Sequence, residues 1–496
     1  MCPEDFHLLS NGSCSICQEG LFNYSDGTCQ KCQENDFLYP NDTCISTCLS
    51  PYLEDFTSSP LKKCKPFQSV EEKIINVTQS TAMAATQVAT ALTSKSPGGV
   101  MVGIAGRIFF IIKFLNITRS TELEHALQTW KSNFVPIDFN FLMPSEMEEN
   151  IPETPVPEIF EKRQVASSFL LNSWDNLIFI LIIMVIFILL QILILSVKKD
   201  KYKWLRIIKR IKVSVQNYLI TQLYAIYGDL IFYIILELRV IYLGNWTINL
   251  SFTIELILLL FIITSFTLHF LLLVKYQKIK KEAQNTNNKE LLQQFQKDYE
   301  GVQMLFIDFK DDSLIHQAFI IYITSRDMLF SLVITTLFGL TLFQVTIFLL
   351  LNTSLLIYLI LKRPFKERFE EIQQFTFEII ILTVNIIEII GSTLDNMDSF
   401  GSNIQIVLGK LLIILNVGFN ICALLFMIFK IVFSIKSAYQ DYKQKKIVKR
   451  RIVTRIIRKH KQRAKNPIRS SQVNDISIIK TLKSRNDDIS IQNLEL

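Results

Sequence analysis

Ionisable and amide side chains occur inside several long apolar runs of this sequence. An unpaired charge in hydrocarbon costs roughly a few kcal/mol, so such residues face protein, water or a partner. Acidic and amide oxygens on one helical face can also replace the hydration shell of a cation. We therefore take the following residues as candidates for a solute pathway or for polar contacts within the membrane: Asp229, Glu237, Arg239, Arg326, Asp327, Glu378, Asn385, Glu388, Asn416 and Asn420.

The spacing of these residues supports more than one interpretation. At 100° per residue, Glu378, Asn385 and Glu388 fall within about 80° of one another on a helix. The adjacent Arg326 and Asp327 are expected to form an internal ion pair that fixes helix packing. Two further groups have simple structural explanations. Asn416 and Asn420 can hydrogen-bond between helices, and Glu255 lies near the end of an apolar run, where snorkelling toward water explains it.

The cysteines form a second pattern, because eight of the nine lie within the first 64 residues. The spacing C-x11-C-x2 repeats from Cys2, and crowding of this kind in a small domain is typical of a disulfide framework. The predicted disulfide residues are Cys2, Cys14, Cys17, Cys29, Cys32, Cys44, Cys48 and Cys64. Zinc is the alternative, since Cys14-x2-Cys17 has ligand-like spacing. Cys422 lies alone in an apolar run and is expected to be a small buried residue.

Glycosylation sequons favour the lumen of the secretory pathway over zinc for the cysteine units. The predicted glycosylation sites are Asn11, Asn23, Asn41, Asn76, Asn116, Asn245 and Asn249. Asn352 also begins a sequon, but it lies inside an apolar run and should not be modified. No signal peptide precedes Cys2, so either a later helix carries the amino terminus across the membrane or the beginning of the chain is missing, and the second is the favoured expectation.

Motifs of soluble enzymes are missing from the sequence. There is no GxGxxG, P-loop, HExxH or GxSxG pattern. The five histidines are scattered, and none pairs with a cysteine at ligand spacing. We therefore expect no catalytic residues, no cofactor, no metal site and no nucleic-acid partner, and we predict that the protein is not an enzyme.

The elements that position the candidate residues follow from the apolar runs. Half of the residues are apolar, and the apolar residues gather in runs of about 20, the length of a membrane-spanning helix. The predicted fold is mainly α, a polytopic helical membrane protein with about seven transmembrane helices, a small disulfide-rich amino-terminal repeat domain and a disordered basic tail. The predicted spans are 177–197, 218–243, 252–274, 317–338, 343–361, 376–390 and 404–432.

Loop charges predict the orientation of these spans. The basic loops 198–212, 275–281 and 362–368 alternate with loops that are acidic or carry sequons. Basic loops face the cytoplasm, so the amino terminus is expected outside and the carboxy terminus inside, at the plasma or surface membrane. The lipid bilayer is thus the first expected partner.

Four regions follow along the chain. Residues 1–66 are predicted to be cysteine-rich repeats, and 67–175 a membrane-proximal region with an interfacial helix near 100–115, because two cations there argue against a crossing. Residues 176–435 form the seven-helix module, and 436–496 the basic cytoplasmic tail, whose last thirty residues are expected to be disordered. The basic stretch 443–465 can bind anionic lipid or calmodulin, or can be a solvated flank that enforces orientation.

Several segments together resemble a large group of ciliate surface proteins. These segments are FIDFKDDS (306–313), ITSRDMLFSLV (323–333), Gln344, YLILKRPFKERFEEIQQ (358–374), and RIFFIIKFLNIT (107–118) with 122–127. The resemblance covers most of the chain from about residue 100 to 440. It implies furin-like, growth-factor-receptor-type cysteine repeats joined to a multi-pass module. Arg-Pro-Phe after a span is also similar to fungal flavin-carrier and polycystin-like channels of the transient receptor potential type.

Two function classes remain open, and a third is structural. The first is a channel- or transporter-like module for cations or small solutes, motivated by the carboxylates and amides within the spans. The second is a receptor or adhesion protein that binds an extracellular protein or glycan through its repeats and signals through its tail. The third is a coat component. Seven spans also suit a G-protein-coupled receptor, but the third span ends LLLVKYQK and lacks an acidic-Arg-aromatic triplet. The oligomeric state stays open.

Overall fold

The structure is a computed structural model of the full chain. It describes residues 7–8, 14–15, 22–24, 29–30, 37–38, 43–45, 52–55, 63–66, 77–78, 80–81, 84–85, 97–120, 123–124, 126–127, 130, 139–144, 156–163, 165–197, 203–239, 246–395 and 402–465. The chain forms two compact units, Met1–Ile428 and Phe429–Leu496.

The amino-terminal region contains eight short strands, arranged as one antiparallel hairpin for each predicted cysteine unit. The strands are β1 His7–Leu8, β2 Cys14–Ser15, β3 Phe22–Tyr24, β4 Cys29–Gln30, β5 Phe37–Leu38, β6 Thr43–Ile45, β7 Tyr52–Asp55 and β8 Lys63–Pro66. Hairpin β1–β2 stands alone, and the other six strands form one sheet in the order β4-β3-β6-β5-β8-β7. Four of the eight predicted disulfide residues (Cys2, Cys17, Cys32 and Cys48) lie outside the described residues. The disulfides stay a prediction.

The rest of the described chain is helical. Its α-helices are α1 Gly98–Ile112, α2 Glu158–Glu161, α3 Phe169–Ser196, α4 Lys203–Leu238, α5 Trp246–Asn285, α6 Lys289–Asp298, α7 Leu314–Gln317, α8 Phe319–Thr336, α9 Thr341–Lys362, α10 Arg368–Asp395 and α11 Ser402–Lys465. Short 3-10 helices occur at Asn140–Leu142 and Glu300–Leu305. Among the described residues, seven helices (α3, α4, α5, α8, α9, α10 and α11) are long and apolar enough to cross a membrane. The prediction of a polytopic helical membrane protein is confirmed at this level.

The spans alternate in direction, so the bundle has two ends. At one end, here called the upper end, α3, α5 and α9 begin while α4, α8 and α10 finish. Contacts of Glu237 with Phe169 and Ser251 join the end of α4 to the starts of α3 and α5. The opposite, lower end carries the basic loops. Helix α4 is central and packs against α3, α5 and α8, whereas α3 and α5 leave most of their apolar side chains exposed for lipid.

The predicted interfacial helix near 100–115 is present as α1, but its interfacial placement is wrong. Fourteen of its fifteen residues are buried, and α1 packs against α4, α8 and α10. An interfacial helix would leave one face toward lipid headgroups. The cations Arg107 and Lys113 are tolerated because protein groups surround them: Lys113 donates to the Trp130 carbonyl and lies 4.6 Å above the Phe110 ring centroid.

Helix α1 lies at membrane depth inside the bundle. It runs parallel to α4, with Arg107 beside Asp229 and Phe114 stacked on Phe232 at 4.9 Å. The chain just after α1 reaches the upper end, where the Asn116 carbonyl accepts from Thr341. At 1.5 Å per residue, Gly98 lies about 13 Å farther from the upper end than Arg107.

Two of the segments on which the resemblance to ciliate surface proteins is based, 306–313 and 358–374, contact each other at the lower end. Phe309 and Phe365 form an isolated antiparallel bridge, and their rings lie 5.5 Å apart. Phe365 also packs edge-on to Phe319 at 4.9 Å. Arg363 ends α9 in a left-handed conformation with φ of 44°, and Pro364 prevents the helix from continuing. The Arg-Pro-Phe turn is thus an aromatic anchor at the lower end.

The predicted disordered tail is wrong for residues 436–465. Helix α11 continues to Lys465. The sequence from 437 to 465 contains no glycine or proline and many Lys, Arg and Gln residues, which are good helix formers, and Pro467 follows shortly afterwards. Residues 466–496 lie outside the described part of the chain.

Candidate functional site

The first polar cluster joins α1 to two spans through Arg107. Its guanidinium forms a buried ion pair with Asp229 of α4 and a second one with Asp327 of α8, at 2.8 Å. A third nitrogen donates to the Ser331 hydroxyl at 2.8 Å. Two carboxylates face one guanidinium, and all three groups are almost fully buried. This arrangement fixes α1 against α4 and α8.

Gly228 makes room for this cluster. A β-carbon at this position would overlap the Asp327 carboxylate and the Arg107 guanidinium. The Ser331 hydroxyl donates to the Gly228 carbonyl at 2.8 Å, which holds the same stretch of α4 against α8. The glycine therefore permits a close approach that a larger residue would prevent.

The second cluster forms around Arg326. This residue is ion-paired with Glu378 of α10 and donates to the Asn352 side chain of α9 at 2.9 Å. Gln374 donates to the other Glu378 oxygen at 2.7 Å, and Asn352 donates to the Glu378 carbonyl at 3.2 Å. The expected internal pair of Arg326 with Asp327 is wrong, because adjacent residues of a helix point in different directions.

The third pair connects the segment after α1 to α10. Arg119 lies 3.4 Å from Glu388 and also donates to the Ile112 carbonyl at 2.6 Å. The sequence predicted that three residues of α10 share one face, and all three are buried: Glu378, Asn385 and Glu388. Both carboxylates thus have arginine partners.

The buried face of α10 carries seven polar side chains along its length, interspersed with the apolar Phe377, Ile381, Val384 and Ile387. It carries Glu370, Gln373, Gln374, Glu378, Asn385, Glu388 and Ser392. These positions extend over 23 residues, or about 33 Å, which matches the thickness of a bilayer core. Both polar atoms of the Gln373 side chain and both of Asn385 lack a protein partner among the described residues. Buried groups of this kind normally bind water or a ligand.

A further pair of carboxylates lies at the upper end, between α3, α4 and α5. Glu237 accepts the Phe169 N–H and the Ser251 hydroxyl, the latter at 2.8 Å. Glu255 lies one turn after Ser251 and is completely buried, so the snorkelling expected for it is wrong. Neither of its carboxylate oxygens has a partner among the described residues.

The remaining candidates lie outside these clusters. The Asn420 side chain donates to the Asn416 side chain at 2.6 Å and to the Asn416 carbonyl, so the two bond within one helix instead of between helices. Arg239 is exposed at the end of α4, where it donates to the Thr335 carbonyl. Cys422 is free and only half-buried, so the burial expected for it is wrong.

Sequence reasoning did not identify Arg107, Arg119 and Gly228 as site residues. The signal in the sequence was the pair of cations within 100–115, which we interpreted as evidence against membrane depth. Partners on distant helices reverse that interpretation. In the described part of the chain, no three or more His, Cys, Asp or Glu residues are grouped to hold a metal ion.

Comparison with known proteins adds no assignment. No protein-family model matches this chain, and neither a curated protein nor a solved structure matches it.

Proposed function

We propose that the seven-helix module conducts or transports a small cation or another small polar solute along the buried polar face of α10. The observation that carries this proposal is the bilayer-length row of polar side chains on α10, with unpartnered amides at Gln373 and Asn385. Amide groups without partners in an apolar interior are costly, so retaining two of them favours contact with water or solute.

The arginine pairs limit the chemistry of this path. Glu378 and Glu388 are each balanced by an arginine, so the path is not a row of bare negative charges. Selectivity is then expected to depend on the amides of Asn385 and Gln373, and on whether an ion pair opens during transport.

Solute flux through the full-length protein in liposomes tests the proposal. Asn385→Leu is the diagnostic variant, because it removes an unpartnered amide and leaves no arginine unpaired. We expect it to reduce flux at least tenfold while the protein stays folded. Thr383→Val is the matched control, since the Thr383 hydroxyl donates to the Ile379 carbonyl of its own helix and has no other partner in the described part of the chain. Equal flux in the Asn385→Leu variant, or no flux in any form under voltage or calcium, contradicts the proposal.

A receptor or adhesion function is the second candidate, favoured by the position of α1. This helix follows the cysteine units in the chain and is ion-paired to two spans at the bundle centre, so it can relay a displacement into the module. Binding of a protein or glycan that is lost when residues 1–66 are removed, together with absent flux, would support this function. The helical stretch to Lys465 is proposed to contact anionic lipid or calmodulin. Vesicles with and without anionic lipid test the first partner, and added calmodulin tests the second.

A further inference from the structure

The upper end contains a group of buried oxygen-bearing side chains that the proposed transport path does not use. We propose that Glu237, Glu255 and Ser251, together with Ser173 and Asn176, form a binding site for a divalent cation of the Ca²⁺ type.

The first argument is the unbalanced charge. Glu255 is completely buried and Glu237 is 8% exposed, and the two carboxylates are close enough to interact electrostatically. Within the described residues, no basic side chain pairs with either of them, unlike Asp229, Asp327, Glu378 and Glu388. A buried carboxylate without a partner must be neutralised, either by a proton or by a cation.

The second argument is the set of unpartnered side chains from α3. Ser173 and Asn176 are at most 1% exposed, and within the described part of the chain neither has a protein hydrogen bond for its side-chain polar atoms. They lie on the buried face of α3, which packs against α4 and α5. Their oxygens are independent of the acidic pair and belong to a different helix.

The levels of these residues along the bundle agree. The Leu170 N–H donates to the Ser251 hydroxyl at 3.2 Å, which places the two positions side by side. Both helices run downward from this contact, so Ser173 lies about 4.5 Å, Glu255 about 6 Å and Asn176 about 9 Å farther along. Glu255 therefore lies between the levels of Ser173 and Asn176, below Glu237.

The donor set matches calcium better than other cations. Two carboxylates, two hydroxyls and one amide supply up to seven oxygens, and Ca²⁺ takes six to eight oxygen ligands in flexible geometry. Mg²⁺ keeps several waters and requires near-octahedral ligands, which a closed helix interface does not favour. The slight exposure of Glu237 at the upper end, predicted to face outside, provides a side from which the ion can enter.

Calcium binding to the full-length protein in nanodiscs, after treatment with a chelator, tests this site. We expect Ca²⁺ to raise the Tm in a saturable manner, with one ⁴⁵Ca²⁺ bound at this site per chain. Glu255→Gln and Asn176→Leu should each weaken binding at least about tenfold, as loss of a ligand or its support does. Glu290→Gln, at an exposed carboxylate of α6, should leave binding unchanged.

Two outcomes overturn the proposal. One is that the wild-type protein shows no calcium-dependent change up to about 10 mM, tenfold above the weakest extracellular sites, which means that Glu255 is protonated. The other is that Glu255→Gln and Asn176→Leu both bind calcium as tightly as the wild type, which assigns the ion elsewhere. If the Glu255→Gln variant does not fold, calcium binding by the Asn176→Leu and Ser251→Ala variants, each made separately, decides between the outcomes. Because this site is separate from α10, transport and calcium binding can fail independently.

Discussion

At the residue scale, buried arginines compensate most of the charge inside the bundle. Arg107, Arg326 and Arg119 each reach a carboxylate on another helix. A buried ion pair is weak evidence for net stability, but removing one partner strands a charge. The charged residues of the spans therefore define which helices are neighbours.

Removing one member of the second cluster should destabilise the protein strongly. Arg326→Gln or Glu378→Gln alone is expected to cost about 3–5 kcal/mol, because each leaves the other charge buried. The double variant should recover part of this loss, and thermal unfolding in detergent measures it. The solvent-accessible pair Arg363–Glu371, with side chains 67% and 27% exposed, is the control, where Glu371→Gln should change stability by only about 0–1 kcal/mol. Additive losses in the double variant would contradict the coupling.

Gly228 offers a steric test of the first cluster. Gly228→Ala is expected to destabilise the protein by about 1–3 kcal/mol, because the added methyl group overlaps Arg107 and Asp327. Gly418→Ala is the matched control within another span, since among the described residues no atom beyond its own turn of helix backbone lies within 4 Å of its added β-carbon. It should be neutral or stabilise slightly through helix propensity. Equal thermal stability of the two variants would show that Arg107 and Asp327 can move away from the added methyl group at little cost.

At the element scale, α1 and the Arg-Pro-Phe turn are the parts that organise the module. Helix α1 contacts α4, α8 and α10, and Phe109 also reaches Phe419 of α11 at 5.5 Å. The turn after α9 holds the 306–312 segment through Phe365. The first acts at the centre of the bundle and the second at its lower end.

The aromatic anchor predicts a large effect at one position. Phe365→Ala is expected to cost about 3–5 kcal/mol, because Phe365 is almost completely buried against Phe309 and Phe319. Phe343→Ala, at a side chain 56% exposed on α9, should have a much smaller effect in detergent. Thermal unfolding compares the two. A similar small change in both variants would contradict the anchoring role of the turn.

At the scale of the whole molecule, sequons report the orientation of the bundle. Asn116 and Asn249 are exposed at the upper end, whereas Asn352 is completely buried and bonded to Arg326. We expect glycosylation at Asn116 and Asn249 and none at Asn352. Glycosidase treatment of the wild type and of Asn→Gln variants at each position measures this. A carbohydrate at neither Asn116 nor Asn249 would argue against an outside-facing upper end. Asn11, Asn41, Asn76 and Asn245 lie outside the described residues, and Asn23 lies on β3.

The sequence by itself determined the class of protein and the spans. A run of apolar residues as long as a bilayer is a local property, so the described residues contain seven helices long enough to cross where the sequence predicted about seven. The shared face of Glu378, Asn385 and Glu388 was also predictable, because it follows from the helical period alone.

Only the tertiary structure decided the depth of α1 and the partners of the charged residues. Arg107 meets Asp229 and Asp327 across 122 and 220 residues of sequence, and no periodicity encodes such contacts. The two cations of this helix argued against membrane depth only while lipid was assumed to be their surroundings. The same charge is favourable beside carboxylates inside a bundle and unfavourable in hydrocarbon, so its meaning depends on neighbours that only the folded chain supplies.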